Sequence, residues 1–319
     1  MSRIVKVDST DLKILRLLLI DSRTNISEIA KECGISSSAI VARIKKLEKS
    51  KVIVSTRLEL KQGIFGYPHQ VTVGIIAEIP MIDSVVLEVR KQPNVVVCTK
   101  SIGKFNLLCL VLAKSMDELE KITQKIKNFP GVKGISINII TDQYHRDMKE
   151  VEKSILEKNQ DIDDLDKKII EELIVSSWTP FTKIAQKLKI SHETVRNKFE
   201  RMKYNGIVER CSINVDWSKL GYQGTMFVFI SQKSGTEKSE IVKELKKNPS
   251  IFLVNSVIGA YDLVAFSNLR DLKDFAKTVD YVQQIPGVGQ IDVCFATFTY
   301  FSFTPIPRTP IQCDTLELS

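Results

Sequence analysis

The chain of 319 residues has little glycine or proline, 14 and 10 residues respectively, and its apolar runs are short. This composition excludes collagen-like and low-complexity proteins. Apolar runs such as residues 107–113 fall well short of the roughly 20 residues that cross a bilayer, so no membrane partner is expected. The N-terminal residues lack the long apolar core of a secretory signal, and we therefore expect a cytoplasmic protein.

Cysteine and histidine are also scarce. The six cysteines form no CxxC pair, and the three histidines are His69, His145 and His192. Because a structural zinc site needs closely spaced ligands, the sequence predicts neither a metal site nor a cofactor, and the cysteine pattern fits a reducing compartment. The sequence also lacks a phosphate-binding glycine loop and a Ser/His/Asp arrangement, so no catalytic residue is assigned and no enzyme is predicted.

The second half of the chain repeats the first. Residues 26–53 align with residues 181–208 without a gap, and the shift of 155 residues becomes 156 further along. There, the segment GKFN at 103–106 matches GAYD at 259–262, and a Pro-Gly-Val sequence follows in both halves. A colinear series of matches over about 150 residues indicates a duplicated unit.

Each half begins with a pattern typical of a helix-turn-helix domain. In the first half Asp8 and Ser9 precede an amphipathic helix, Ser27 is the expected cap of a short helix that ends at Gly34, and Ser36 caps a third helix. The expected apolar positions of the first helix are Leu12, Leu15, Leu18 and Leu19. The predicted buried stripe of the third helix is Ile40, Ile44 and Leu47, and in the second half, after the Ser191 cap, Val195, Phe199 and Met202.

The third helix of each half is the expected recognition helix, since the second helix of a helix-turn-helix motif enters the major groove. Asn197 can pair with adenine and Arg196 can reach guanine, whereas lysines on the same face suit phosphates. The predicted DNA-binding residues are Ser37, Ser38, Val41, Ala42, Lys45 and Lys46 in the first half and His192, Glu193, Thr194, Arg196, Asn197 and Arg201 in the second.

The charge pattern permits DNA binding without requiring it. Lys and Arg number 46 against 38 Asp and Glu, a balance of +8, and residues 26–55 and 181–210 carry +3 and +5. Exposed helices of protein-docking modules also carry Lys, Glu and Asn, so docking stays open as an alternative. Arg43 and Lys198 lie nearer the buried stripe than the open face, and a salt bridge within the three-helix domain is at least as good an interpretation as a phosphate contact.

The rest of each half predicts the order strand-helix-strand-strand-helix-strand, which is the ferredoxin-like pattern. The fold class is therefore α+β, with two repeats that each join a helix-turn-helix (winged-helix-like) domain to a ferredoxin-like αβ sandwich. The aromatic segment 298–303 is expected to form a buried final strand. The predicted boundaries are 1–60 and 61–141 for the first repeat, 142–160 for a charged connector, 161–215 and 216–304 for the second repeat, and 305–319 for a C-terminal arm.

Several short motifs occur in the same order in both halves. They are the D…L pattern of the first helix, IA-x5-IS, [VI]-x2-[RK]-x3-[LM] in the third helix, Gly-Tyr after the linker strand, G-x-[FY]-[ND] and Pro-Gly-Val. Together they resemble the leucine-responsive, Lrp/AsnC family over nearly the whole chain. The resemblance implies a transcription factor in which an N-terminal helix-turn-helix binds DNA and an αβ domain dimerises and often binds an amino acid.

This chain differs from the usual family size because it carries two complete units. We expect an intramolecular pseudo-dimer on double-stranded DNA, with two unlike half-sites about one helical turn apart, and a homo-oligomer formed through the αβ domains. The resemblance also implies an effector pocket near the G-x-[FY]-[ND] turn, where Asp262 would hold an α-ammonium group, although a plain β-turn favours the same residues. The candidate effector residues are Gly103, Asn106, Gly259, Tyr261 and Asp262.

Two other functions remain as alternatives. A fused double unit of this fold also resembles the siroheme decarboxylases, which implies histidine and arginine side chains that handle tetrapyrrole carboxylates. His69 and His145 both lie in the first half, however, and the corresponding positions of the second half are not histidine. The other alternative is a co-regulator that binds small molecules or other regulators through its sheets and binds DNA weakly.

Overall fold

The structure is a computed structural model that describes residues 4–145 and 161–297. Most of the predicted connector, the aromatic segment 298–303 and the predicted C-terminal arm lie outside these residues. Among the described residues, no helix has the length and apolar character needed to cross a membrane.

The chain divides into two compact units, and each unit combines segments of both halves. The helical unit contains residues 1–64 and 150–221, which carry the two helix-turn-helix domains. The sheet unit contains residues 65–149 and 222–319, which carry the two αβ domains.

The elements follow the predicted order in both halves. The first half contains α1 (Ser9–Ile20), α2 (Ile26–Cys33), α3 (Ser37–Lys49), β1 (Ile53–Leu60), β2 (His69–Ala77), α4 (Ile82–Arg90), β3 (Val95–Lys100), β4 (Ile102–Gly103), β5 (Leu107–Ala113), α5 (Met116–Lys127) and β6 (Val132–His145). The second half contains α6 (Asp164–Val175), α7 (Phe181–Leu188), α8 (His192–Tyr204), β7 (Val208–Val215), β8 (Gly224–Gln232), α9 (Lys238–Lys247), β9 (Ile251–Gly259), β10 (Leu263–Leu269), α10 (Leu272–Gln284) and β11 (Val288–Thr297). Residues 142–145, predicted as the start of the connector, belong to β6.

Side chains cap the first and third helices of each helix-turn-helix domain. Asp8 accepts a hydrogen bond from Asp11 N and Asp11 accepts one from Asp8 N, and this reciprocal capping box recurs at the start of α6. The hydroxyls of Ser36 and Ser191 accept hydrogen bonds from the amides three residues further on, so both predicted caps are confirmed. Each cap satisfies one of the backbone donors that a helix N-terminus leaves without an internal partner.

Two details of the predicted helices are wrong. α2 begins at Ile26 after Asn25, so Ser27 lies inside the helix and not at its cap. Leu12 is 46% exposed, because the core face of α1 lies on neighbouring positions. The buried apolar residues of α1 are Ile14, Leu15 and Leu18. The predicted stripes of α3 and α8 are confirmed as buried: Ile40, Ile44 and Leu47, then Val195, Phe199 and Met202.

An antiparallel pair of strands, β1 with β7, joins the two halves of the helical unit. Ile213 of β7 lies in the apolar core of the first helix-turn-helix domain, and Trp178 and Val215 pack against the same core. The second half therefore completes the core of the first domain. Within this unit the two halves pair as the expected intramolecular pseudo-dimer.

The sheet unit contains a nine-stranded sheet in the order β3-β5-β2-β6-β9-β10-β8-β11-β4. The four strands β3-β5-β2-β6 and the four strands β9-β10-β8-β11 have the same internal order, which confirms two ferredoxin-like repeats. The halves join twice, since β6 pairs with β9 and β11 pairs with β4. The strands at the two ends of this order, β3 and β4, are consecutive in the first half. Only Ser101 separates them, so the two ends of the sheet lie close together.

Apolar side chains fill both faces of this sheet. One face packs beneath α4 and α5 in the first half and beneath α9 and α10 in the second. A separate buried cluster contains residues of both halves, including Phe105, Phe229 and Tyr261. Aromatic side chains bury large apolar areas, so the contact between the halves is itself a core.

Candidate nucleic-acid interface and effector pocket

The predicted recognition faces of α3 and α8 lie at the surface. All the predicted DNA-binding residues are exposed except Thr194, which is half-buried. The buried stripes of both helices point into their own three-helix cores. The structure therefore gathers the predicted residues of each half on the open side of one helix, where DNA can reach them.

Arg43 ties α3 to the start of α1. Its guanidinium lies 2.7 Å from Asp8 Oδ2 and 2.6 Å from Asp11 Oδ1, and Asp11 is buried. The Asp11 amide and the Arg43 guanidinium lower the pKa of Asp8, and hydrogen bonds to both carboxylates raise the pKa of Arg43. Lys46 Nζ is 3.9 Å from Asp11 Oδ2, with its side chain 60% exposed. The interpretation of Arg43 as a salt bridge within its domain is confirmed.

In the second half two basic residues bind the equivalent carboxylates at the start of α6. Lys198 contacts Asp163 and lies 3.4 Å from Asp166 Oδ1, while Arg201 contacts the other carboxylate oxygen of the fully buried Asp166. The Lys198 ammonium and the Asp166 amide lower the pKa of Asp163 to about 2. The salt-bridge interpretation of Lys198 is confirmed. Arg201 is held inside its own domain, and its contact with DNA stays a prediction.

Other polar groups on the recognition helices have no internal partner. Within the described part of the chain, Arg196, Asn197 and Lys45 make no hydrogen bond or ion pair. A depression of about 310 Å³ on the surface is lined by Thr194, Asn197, Lys198 and Arg201. Unpaired donors can bind bases and phosphates without breaking a contact inside the protein.

Reciprocal contacts fix the two helix-turn-helix domains to each other. Ser22 and Ser177 occupy equivalent positions, and their hydroxyl oxygens are 3.2 Å apart. Trp178 Nε1 donates to Ser22 O at 2.8 Å, and Arg23, at the position equivalent to Trp178, donates to Ser177 O. Unlike side chains at equivalent positions therefore make equivalent contacts across a pseudo-twofold axis.

Other contacts in the helical unit involve residues that differ between the two halves. The Arg23 guanidinium lies 4.0 Å from the centroid of a phenylalanine ring in α7, and burial lowers its pKa. Arg210 donates to Glu59 at 2.8 and 2.6 Å, whereas the equivalent pair is Ser55 and Asn214. These residues are not among those predicted from the sequence. The available signal was that a charged residue in one half has an uncharged residue at the equivalent position of the other.

The sheet unit contains a pocket of about 390 Å³ beside the G-x-[FY]-[ND] turns of both halves. Its lining includes Lys104 from the first half and Tyr261 and Asp292 from the second. Lys104 Nζ lies 3.6 Å from Asp292 Oδ2, and the Tyr261 hydroxyl donates to the same oxygen at 2.8 Å. Burial and the Asp292 carboxylate raise the pKa of Tyr261, so its phenol stays a hydrogen-bond donor. Lys104 and Asp292 were not predicted, although Lys104 is the one charged residue in the GKFN segment.

The predicted effector residues divide between this pocket and the turns. Tyr261 lines the pocket. The side-chain oxygen of Asn106 accepts a hydrogen bond at 2.8 Å from the amide that ends β2, and Asp262 accepts one at 2.9 Å from the equivalent amide of β8. These contacts support the turn interpretation of both residues. The pairing of Asp262 with an α-ammonium group stays a prediction.

Gly103 and Gly259 bring the two turns close to the opposite half. A Cβ atom at Gly103 would lie 2.1 Å from Val293 O, and one at Gly259 would lie 2.1 Å from Ile137 O. A side chain at either position would collide with the backbone of the other half. The glycines therefore have a packing role at the contact between the repeats.

Comparison with known proteins agrees with this arrangement. The AsnC-type helix-turn-helix domain matches residues 7–48 and 162–203, and the Lrp/AsnC ligand binding domain matches residues 70–150. The chain is similar to the HTH-type transcriptional regulator FL11 of Pyrococcus furiosus, 30% identical over 127 residues that make up 40% of this chain and 83% of the relative. It is also similar to the HTH-type transcriptional regulator LysM of Saccharolobus solfataricus, 29% identical over 143 residues, or 45% and 99% of the two chains.

A solved structure resembles the whole chain. The siroheme decarboxylase NirDL superposes with a TM-score of 0.66 and 15% identity over 94% of both chains. At this identity the likeness shows a shared fold.

Two exposed recognition helices on one helical unit, together with a sheet unit that contains a pocket, define a helix-turn-helix DNA-binding protein with a ligand-binding domain. The chain belongs to the Lrp/AsnC family of helix-turn-helix transcriptional regulators, with two family units in tandem.

Proposed function

We propose that α3 and α8 bind the two halves of one asymmetric site on double-stranded DNA. The observation that carries this proposal is the set of reciprocal contacts, centred on Ser22, Ser177, Arg23 and Trp178, that holds two unlike helix-turn-helix domains in one unit. Because symmetry-related helices read a palindrome, unlike helices favour two unlike half-sites.

The two recognition helices are proposed to use different chemistry. In α8, Arg196 and Asn197 bind base edges through hydrogen bonds. In α3, the small side chains of Val41 and Ala42 permit apolar contact with thymine methyl groups, and Lys45 with its neighbour Lys46 binds phosphates. Arg201 of α8 is also proposed to bind phosphate, with Asp166 orienting its guanidinium.

Footprinting on genomic DNA fragments tests this proposal. The full chain, at two salt concentrations and with competitor DNA, should retain a fragment with an asymmetric protected site. Its half-sites should be about 10 base pairs apart from centre to centre. The Arg196→Ala variant should bind the fragment more weakly and relax the base preference at one position of the site. Lys247→Ala, which removes an exposed lysine of α9, should bind like the wild type. No binding even at low salt, or a perfect palindrome as the best site, would contradict the proposal.

The sheet unit is proposed to bind a small effector and to associate with other copies of the chain. The pocket at Lys104 supports effector binding. Association is supported by Ile102 and Ile258, equivalent residues that are 77% and 63% exposed in the single chain. Exposed apolar side chains of this kind favour association. Light scattering should give a mass above one chain, and the double variant Ile102→Lys and Ile258→Lys should lower it. A monomeric wild type would contradict the association.

No enzymatic step is part of the proposed function. His69 and His145 are half-buried at the ends of β2 and β6, and His192 is exposed on α8. The lining of the 390 Å³ pocket contains no histidine. An iron-uroporphyrin should therefore keep its free absorption spectrum when the chain is added. A shifted spectrum together with release of carbon dioxide would support a decarboxylase instead.

A further inference from the structure

We propose that Cys98 and Cys109 form a reversible disulfide bond when the folded chain is exposed to hydrogen peroxide. Both are free thiols in the structure. Cys98 lies in β3 and Cys109 in β5, and the two residues are direct partners in the antiparallel register of these strands. The other described strand cysteines lack this arrangement, because Cys211 lies opposite a leucine and Cys294 lies opposite a phenylalanine and a glycine.

The register of β3 and β5 sets the distance between the two cysteines. Ser101 N donates to Asn106 O at 2.8 Å, which marks this opposite pair as a hydrogen-bonded one. Hydrogen-bonded and non-hydrogen-bonded pairs alternate along an antiparallel ladder, so Cys98 and Cys109, three pairs further on, form a non-hydrogen-bonded pair. The Cα atoms of such a pair are about 4.5 Å apart. Because a disulfide bond needs a Cα separation of about 4.4–6.8 Å, the bond can form without a large backbone shift.

Both thiols point to the same face of the sheet. Cys98 and Cys109 are 4% and 2% exposed and belong to one apolar cluster beneath α4 and α5. The Cys109 thiol donates a hydrogen bond to Cys98 and lowers the pKa of Cys98, and Arg90 at the end of α4 lowers it further. The same hydrogen bond and burial raise the pKa of Cys109. The two sulfur atoms are therefore in contact, and Cys98 is the expected nucleophile.

The reaction consumes one molecule of hydrogen peroxide for each disulfide bond. The Cys98 thiolate attacks one peroxide oxygen and breaks the O–O bond, which leaves a sulfenic acid on Cys98. The released hydroxide takes up the proton that the Cys98 thiol lost and becomes water. The Cys109 sulfur then attacks the Cys98 sulfur and displaces the hydroxyl group, which leaves with the Cys109 proton as a second water. The two thiols lose two electrons and two protons, and the peroxide is reduced to two waters.

Peroxide can reach this buried pair because β3 is an edge strand. It is the first strand in the sheet order and, within the described part of the chain, it hydrogen-bonds to β5 alone. A strand that pairs along one edge can separate locally at a lower cost than a central strand. Hydrogen peroxide is only slightly larger than water, so a brief local opening admits it.

The second half shows that packing at this position does not require cysteine. The residues equivalent to Cys98 and Cys109 are Val254 and Ala265, which form the same direct pair between β9 and β10 and are fully buried. Apolar side chains of this size therefore suffice to fill the equivalent core. The two thiols add a capacity for oxidation that the second half lacks at this position.

Peptide mapping of the oxidised full chain tests the proposal. The folded chain is treated with increasing hydrogen peroxide, its remaining thiols are blocked, and it is digested with trypsin without a reductant. Trypsin cleaves after Lys100 and Lys104, which lie between the two cysteines, so the bond should join peptides 92–100 and 105–114. Most of the Cys98 that loses its free thiol should be in this joined peptide, and dithiothreitol should restore both thiols.

Three results would overturn the proposal. The first is a Cys98 thiol that stays free after the half-buried Cys33 has been oxidised. The second is oxidation of Cys98 without the joined peptide, and the third is a bond from Cys98 mainly to a cysteine other than Cys109. The mapping of the wild-type chain decides among these results without any variant.

Two variants with the residues of the second half assign the roles of the cysteines. In Cys98→Val, Cys109 should keep its free thiol at peroxide concentrations that oxidise the wild type, because the nucleophile is absent. In Cys109→Ala, Cys98 should be oxidised to sulfinic acid, which dithiothreitol does not reverse. Cys33→Ser is the matched control and should form the joined peptide at the wild-type rate. Oxidation of Cys109 in Cys98→Val as fast as in the wild type would overturn the assignment of Cys98 as the nucleophile.

Discussion

In the first helix-turn-helix domain Arg43 lies within 2.7 Å of both carboxylates at the start of α1, whereas in the second domain Lys198 lies near both equivalent carboxylates and Arg201 also binds the buried one. A guanidinium offers several N–H donors in a fixed plane, so a single arginine can hold two carboxylates. Lys46 at the position of Arg201 is therefore left largely exposed. Equivalent positions in a duplicated chain need not have equal roles toward DNA.

The sheet unit shows the same divergence in another form. Lys104 and Asp292 meet although neither has a charged residue at its equivalent position. The backbone of the two repeats keeps one arrangement, with glycines at the same turns, while the charges differ. In a dimer of identical chains a contact between two different positions occurs twice, whereas this chain forms the Lys104–Asp292 contact once.

The largest expected effect concerns the buried carboxylates. Asp166→Ala should lower the free energy of unfolding of the helical unit by about 3 kcal/mol, because it leaves Lys198 and Arg201 without their buried partner. Asp11→Ala should cost less, since Arg43 keeps Asp8 and Lys46 is largely exposed, whereas Arg201 loses the carboxylate that it binds. Urea unfolding followed by tryptophan fluorescence measures this unit alone, as the two tryptophans, Trp178 and Trp217, both lie in it.

The sheet unit supplies the control for this comparison. Asp83→Ala removes an exposed carboxylate that pairs with Lys100 and should leave the fluorescence midpoint unchanged. Equal midpoints for Asp166→Ala and the wild type would mean that the two basic residues of α8 need no buried anion. An equal loss in Asp11→Ala and Asp166→Ala would remove the difference between the two domains.

A smaller effect is expected in DNA recognition. Arg196→Ala should cost about 1–3 kcal/mol of binding free energy and relax the base preference at one position of the second half-site. Val41→Ala, at the equivalent position of α3, should cost less, because the substitution removes only methyl groups from an apolar contact with the DNA. Affinities for a set of single-base variants of the protected site measure both. Equal losses, or a loss spread evenly over all positions, would mean that the two helices do not read bases differently.

Local features of the helical unit could be predicted from the sequence because they depend on residues close together in the chain. The stripe of Ile40, Ile44 and Leu47 follows from helical periodicity, and the Ser36 cap follows from the hydroxyl before the helix. The position of Arg43 beside the buried stripe was enough to suggest a salt bridge. The cap at Ser27 was wrong, since the neighbouring Asn25 is an equally good cap by residue type.

Contacts between the halves could not be predicted in this way. Arg23 and Ser177 lie 154 residues apart, and periodicity within one segment says nothing about such a pair. The duplication identified equivalent positions but not the axis that relates them. Lys104 and Asp292 therefore became recognisable as partners only when the order β6-β9 and β11-β4 placed the two turns together.

The lysines of α3 should have a modest effect on DNA binding that does not depend on sequence. Lys45→Ala and Lys46→Ala should weaken binding by a similar factor on every DNA sequence, and each should reduce the salt slope by about 1. Lys203→Ala on α8 is the matched control, because its ammonium already binds Asp21 at 2.7 Å. Salt titrations of all three variants measure the slopes. An unchanged slope in Lys45→Ala would place this lysine outside the phosphate contacts.

The smallest effect is a difference in acid stability between the two capping boxes. The pKa of Asp163 is lowered to about 2 in the folded domain, below the value of about 3.9 for an unfolded chain. Its contribution is therefore fully present above the unfolded pKa and is lost as the pH falls through the folded one. Because the Asp163 side chain is 52% exposed, the contribution should stay below about 1 kcal/mol.

Asp163→Asn should flatten the fluorescence-detected stability between about pH 4 and pH 2. Asp8→Asn should do so less, since the pKa of Asp8 is lowered less than that of Asp163. A wild-type pH dependence in Asp163→Asn would assign the acid sensitivity of this domain to other carboxylates.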